Sequence, residues 1–196
     1  MKKCLLLILA IQTSVFTDNR DQSTYQEVKI EGQTWLKENL KYIYKDGAGA
    51  SYKIEPYYEK YGAYYTSSSS KDACPEGYHL PSLSEWKKYI ETIPGKVNNR
   101  GGKLVSTKQL ESNALTLGGM VRMENVMMND IMGYYWTSTD TLKTYYKTPD
   151  DGLKKHLIGI HIWSSGEKDS INIEPTYMLA AAYEDKIGLN CKCVKD

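Results

Sequence analysis

Cysteines, histidines and a scatter of carboxylates are the side chains of this 196-residue chain that could bind or react. Cys74, Cys191 and Cys193 can form a disulfide or hold a soft metal. On a strand, residues i and i+2 face one side, so Cys191 and Cys193 point together and compete for Cys74. Closing a loop of about 120 residues contributes up to ~4–5 kcal/mol in the chain-entropy model. Calcium wants six to eight oxygens. Glu174-Pro175 offers a carboxylate fixed by proline, and Asp150, Asp151, Asn129 and Asp130 offer further oxygens without recognisable spacing. Solvated loop carboxylates are the favoured reading, with calcium kept as the one candidate cofactor. His79, His156 and His161 are scattered, and no nucleophile–base–orienter arrangement is visible. The chain is therefore expected to be non-catalytic.

Aromatic side chains are the other resource: 17 Tyr, 4 Trp and 1 Phe. Tyr57, Tyr58, Tyr61, Tyr64 and Tyr65 crowd one segment. Exposed, they would present flat faces to the apolar C–H faces of sugar rings; packing on strands is the favoured competing use. Trp163 borders the turn Ser164-Ser165-Gly166 and is expected to be partly exposed, whereas Trp86 and Trp136 read as core anchors. Tyr57, Tyr58, Tyr61 and Trp163 are the candidate ligand-binding residues.

With 25 basic and 24 acidic residues, the net charge of +1 argues against nucleic acid as a partner. Lys2 and Lys3 followed by Leu5 to Ile11 read as an export signal. That apolar run is too short to span a bilayer, which needs about 20 residues, and no transmembrane span is expected. Cys4 precedes the apolar run and should be lost with the signal. Residues 1–17 are assigned to the signal, with no clear cleavage site, and 18–27 to a polar, mobile leader. Export favours a structural disulfide over a metal site for the remaining cysteines.

These residues must be held by a small set of elements. Val28 to Leu36 reads as strand, turn and strand, with Gly32 in the turn. Ser67 to Ser70 reads as a short helix or turn. Asp72 to Trp86 is dense in conformational constraint: a cysteine, two prolines, a glycine and a helix start. Ser82 and Glu85 form a capping box pattern, Leu83, Trp86, Tyr89 and Ile90 recur at helical spacing, and Pro94-Gly95 ends the helix. Lys103 to Ser106 reads as a short apolar segment, Gly118-Gly119 as a bulge or bend. Tyr134 to Thr139, Leu157 to Trp163 and Gly188 to Val194 read as strands, Ile171 to Ile173 as a short one, and Tyr177 to Tyr183 as helix or strand. The segment at Glu174-Pro175 reads as loop.

Several motifs then line up in order. Trp35-Leu36-Lys37-Glu38-Asn39-Leu40 resembles W-[ML]-x-E-N-L, and Tyr61-Gly62-Ala63-Tyr64-Tyr65 resembles Y-G-x-L-Y. Ala73 to Ser82 resembles A-C-P-x-G-W-H-L-P-S, followed by Glu85-Trp86. Gly101 to Leu104, Ala114-Leu115 with Gly118-Gly119, Gly133 to Thr139, and the tail Gly188 to Asp196 continue the series. The pattern is similar to that of the Fibrobacter succinogenes major paralogous domain (FISUMP) family, over roughly residues 30 to 196. The resemblance implies residues 28–196 as one C-type-lectin-like α+β domain. Its core would be a mixed, mostly antiparallel sheet with one or two helices and long irregular loops. It places the family cysteine at Cys193 and so implies a Cys74–Cys193 bridge, with Cys191 the competing partner. His79, a motif residue, is expected to hydrogen-bond backbone in its turn. Tyr78 stands where the pattern has Trp, and Thr176 stands where the Glu-Pro-Asn loop of sugar-binding lectins has Asn. The expected function is an exported, non-catalytic binding or adhesion module of a bacterial surface, in the periplasm, on the cell or secreted. A glycan or cell-surface protein would be its partner. A structural component of the envelope is the alternative, and an enzyme on the same scaffold ranks below both.

Overall fold

A computed structural model of the chain describes residues 14–45, 51–98, 102–142, 155–167, 169–178 and 187–196. The first strands are β1 (Ser14–Thr17), β2 (Thr24–Ile30) and β3 (Gln33–Leu36). Glu31 and Gly32 both take positive φ, as a two-residue hairpin requires, and set Val28 opposite Trp35. The expected strand–turn–strand is therefore present. Segment 18–27, expected to be a mobile leader, is instead built into the domain. Asp18 is buried against Arg20 at 2.7 Å, the Arg20 guanidinium also reaches the Ala73 carbonyl, and Tyr25 sits in the core. An acidic side chain this deep needs such a partner, which a reading by polarity does not reveal.

Next come β4 (Ser51–Tyr52), α1 (Tyr57–Tyr61), β5 (Tyr64–Tyr65), α2 (Ser67–Ser70) and β6 (Tyr78–His79). Helix α3 (Leu83–Thr92) has the full capping box of Ser82 and Glu85 and buries Trp86, Tyr89 and Ile90. After β7 (Lys96–Val97) and β8 (Lys103–Val105), a second capping box at Ser106 and Gln109 starts α4 (Thr107–Ser112). The remaining strands are β9 (Met120–Arg122), β10 (Asn125–Met127), β11 (Met132–Leu142), β12 (Lys155–Ser164), β13 (Ile171–Met178), β14 (Ile187–Gly188) and β15 (Val194–Lys195). Glu174-Pro175 thus lies within a strand, not a loop. Among the described residues four helices form where one or two were expected, and of these only α3 exceeds six residues.

The fold is α+β. One sheet runs β1-β2-β3-β15-β6 and a second runs β11-β12-β13-β8-β7, with smaller sheets β10-β9-β14 and β4-β5. Among the described residues every ladder is antiparallel; parallel pairing occurs in the single bridges Gly119 to Gly133 and Tyr135 to Asn190. Helix α3 and strands of both large sheets meet in an aromatic core, where Trp86 lies 5.4 Å from Trp35 and 5.3 Å from Tyr135 between ring centroids. A second cluster gathers Tyr25, Leu36, Tyr65, Trp136 and the tail cysteines.

Cys74 is bonded to Cys193, and Cys191 is a free, buried thiol. Residues 191–193 are not in a strand. The i, i+2 argument for rivalry between Cys191 and Cys193 therefore loses its premise. No helix among the described residues is long and apolar enough to cross a membrane.

Candidate functional site

Strands β11, β12 and β13 alternate in side-chain direction, and the alternation separates two chemistries. Ile158, Ile160 and Ile162 of β12, with Ile171 and Ile173 of β13, are buried, most of them against α3 in the aromatic core. The opposite face carries Met132 and Tyr134 of β11, His161 and Trp163 of β12, and Asn172, Glu174 and Thr176 of β13. Register fixes the neighbours: Tyr134 and Glu174 flank His161, while Met132 and Asn172 flank Trp163.

This face floors an open cavity of about 570 Å³ lined by Asn98, Met132, His161, Trp163, Ser165, Asn172, Glu174 and Thr176. Its aromatic members are stacked. Tyr134 lies nearly parallel to His161 at 4.6 Å, and His161 lies on Trp163 at 4.5 Å. Burial between two rings pulls the His161 pKa down, so the imidazole is neutral at pH 7. Its Nε2 is buried with no hydrogen-bond partner among the described residues. Glu174, at 7% exposure, is the buried carboxylate of the site. Asn98 Nδ2 donates to Asn172 Oδ1 at 3.3 Å, and the Gly102 amide donates to Asn98 Oδ1 at 2.8 Å, so the two amide planes are fixed. Gly102 lies so close beneath Ile173 that an added Cβ would sit 2.3 Å from its carbonyl oxygen.

Trp163 and Glu174, proposed from sequence for separate reasons, therefore meet in one cavity. The tyrosines proposed with Trp163 do not. Tyr61, Tyr64 and Tyr65 are buried, and their hydroxyls donate to Asp130, the Gly118 carbonyl and the Tyr42 carbonyl. Tyr57 stacks on Tyr61, and the Tyr58 ring is met by Lys53 at 4.8 Å and Lys41 at 5.8 Å. An exposed platform at 57 to 65 is not formed, because each ring has intramolecular company. Asp150 and Asp151 lie outside the described residues. Among the described residues no group of three His, Cys, Asp or Glu side chains could hold a metal ion. Of the proposed calcium oxygens Glu174, Asn129 and Asp130 are described, and Asp130 accepts from Lys60 and Tyr61 and does not line the cavity of Glu174.

The other reactive side chains are absorbed by the fold. His79 is held between Asp196 at 2.7 Å and Glu85 at 3.0 Å, not by backbone as expected. Burial lowers its pKa, but the two carboxylates outweigh that and leave it raised. Burial pushes the Cys191 thiol well above its ordinary value, which suppresses the reactive thiolate.

His161, Asn172, Asn98, Met132, Ser165 and Thr176 line the cavity without having been expected as ligand residues. The signal was present for part of the set. Gly159, His161 and Trp163 alternate with Ile158, Ile160 and Ile162, and Asn172, Glu174 and Thr176 alternate with Ile171, Ile173 and Pro175.

Over residues 28–195 the chain matches the model of the Fibrobacter succinogenes major domain. It belongs to that family. No curated protein and no solved structure matches it. Most of the residues that carry the Fibrobacter succinogenes major domain pattern are structural here. Trp35, Leu36, Leu40, Leu80 and Trp86 are buried in the core. Asn39 Nδ2 donates to the Tyr61 carbonyl and to Thr116 Oγ1, which pins the segment after α1. Trp136 Nε1 donates to the Tyr65 carbonyl at 2.7 Å. Tyr134, of the family motif Gly133 to Thr139, joins the aromatic stack, whereas the eight cavity-lining residues lie outside the motifs quoted above.

Proposed function

We propose that this Fibrobacter succinogenes major domain is an exported, non-catalytic binding module of a bacterial surface. Its ligand face is the open side of β11, β12 and β13, and its ligand is a carbohydrate. A C-type-lectin-like relationship of the fold belongs to this proposal, as an implication of the family resemblance. The observation that carries the reading is the stacked series Tyr134, His161 and Trp163 beside Glu174 and the fixed pair Asn98 and Asn172. Aromatic faces take the apolar faces of sugars, and planar amides and a carboxylate take their hydroxyls. A volume of about 570 Å³ falls within the range typical of small-molecule sites. A non-catalytic role is supported by the state of the titratable groups. His161 is neutral between two rings, His79 is engaged by carboxylates, and Cys191 is sealed.

The test is a glycan array probed with the leader-free protein, its Trp163→Ala variant, and the protein in the presence of a calcium chelator. Binding by the parent and loss of at least about tenfold in the variant is the expected result, corresponding to ~1.4 kcal/mol. Loss on chelation would assign calcium to the site; unchanged binding would assign direct recognition. Silence on every glycan would move the assignment to an envelope component that contacts proteins. That second reading is favoured by one observation: Met123, Met127, Met128 and Ile131 are all exposed along β10 and its flanking turns.

A further inference from the structure

Strand β1 occupies residues that the sequence assigns to the export leader, yet it is wired into the domain. Its four residues pair in register with β2, from Ser14 opposite Glu27 to Thr17 opposite Thr24. Phe16, the chain's one phenylalanine, packs on the core cluster with its ring 4.7 Å from that of Tyr78. Ser14 lies opposite Glu27 in that register, and the Glu27 carboxylate accepts from Tyr78 at 2.5 Å and from Lys195 at 2.9 Å. The strand that β1 pairs with is thereby tied to β6 and β15. The connection to β2 is tight as well: the Asp18 amide donates to the Ser23 carbonyl and the Gln22 amide to the Asp18 carbonyl, both at 2.8 Å.

We propose that the leader ends N-terminal to Ser14, so that an export peptidase hydrolyses a peptide bond before that residue and β1 stays with the mature domain. The proposal rests on the export reading above. Processing acts on the unfolded chain, so the constraint is not access to the bond but what the folded domain must retain. A cut after Thr17 would remove Phe16 from Tyr78 and Ser14 from Glu27. It would also leave the outer edge of β2, seven residues long, unpaired. Such an open edge is a template for pairing with other chains. The sequence is compatible, since the apolar run ends at Ile11, ahead of β1. The chemistry is simple hydrolysis: one water adds across one amide, the leader takes the carboxyl group, and the domain takes the new amino group.

The full chain is expressed in a bacterial host, and the cell fractions are analysed by intact mass and N-terminal sequencing. The exported protein is expected to begin at Ser14 or before it. An exported protein that begins at Val15 or later overturns this proposal and leaves export standing, as does an exported chain of full mass. A full-length chain confined to the cytoplasm overturns both. A second measurement is independent of the cut: Phe16→Ala in the full chain is expected to lower the urea midpoint. An unchanged midpoint would show that the domain does not need β1 and would also overturn the proposal.

Discussion

Lys192 is a charged side chain carried into the buried interior, and its burial has a direct consequence for stability. It is 1% accessible, and its ammonium donates to the Lys37 carbonyl at 2.5 Å. Burial pulls its pKa from 10.5 to about 7, and Glu38 offsets this only in part. Below pH 7 both folded and unfolded chains carry the proton, and the folded state bears the whole cost of a buried charge. Between pH 7 and 10.5 the unfolded chain holds a proton that the folded chain has released, so stability rises with pH in that window. A pKa lowered from 10.5 to about 7 sets the full cost on the order of 5 kcal/mol. Lys192→Met keeps the bulk and removes the charge, while leaving the Lys37 carbonyl short of a donor at about 1–3 kcal/mol. The variant should therefore exceed the parent by about 2–4 kcal/mol at pH 6. As the parent sheds its proton the gap should close by about 3 kcal/mol at pH 9. Urea unfolding followed by tryptophan fluorescence at pH 6, 7, 8 and 9, without reductant, reads this directly. Stability curves that stay parallel across the four pH values would refute the assignment of a neutral buried amine.

Two further changes probe the frame. The Glu27 carboxyl is held down at about 2 by hydrogen bonds from Ser14, Tyr78 and Lys195. Its depressed pKa contributes stability above about pH 4.5 that is lost as pH falls through 2, so Glu27→Gln should lose on the order of 1 kcal/mol at pH 6 and converge with the parent near pH 2. Cys74→Ser opens the loop closed by the Cys74–Cys193 bridge, of sequence separation 119. Its urea midpoint should fall by an amount equivalent to ~2–5 kcal/mol. In the leader-free parent protein, Cys191 should resist iodoacetamide until denaturant is added; rapid alkylation of the native chain would contradict its burial.

What could be read locally was read where local grammar is sufficient. The capping box at Ser82 and Glu85 is a four-residue pattern whose partners are each other, and α3 starts there. The same grammar at Ser106 and Gln109 starts α4, a helix that follows directly on the apolar segment expected up to Ser106. The Tyr57 to Tyr65 segment could not be resolved locally. Tyrosine suits a wet surface and a core alike, and only packing against Asp130, Gly118 and Tyr42 decides for the core. Segment 18–27 failed for a related reason: the polar Asp18 is buried because Arg20 is there to pair with it.

The sequence by itself determined the family pattern, Cys74 as one end of a staple with Cys191 and Cys193 as rival partners, and the alternation along β12. A period of two assigns His161 and Trp163 to one side and Ile160 and Ile162 to the other, wherever the strand is placed. It says nothing about which strands are neighbours or which face is covered. Asn98, Met132, Trp163 and Glu174 are drawn from four separate parts of the chain. They share a cavity because β13 pairs on one side with β12 and on the other with β8. Those pairings depend on contacts across many intervening residues, and no local rule encodes them.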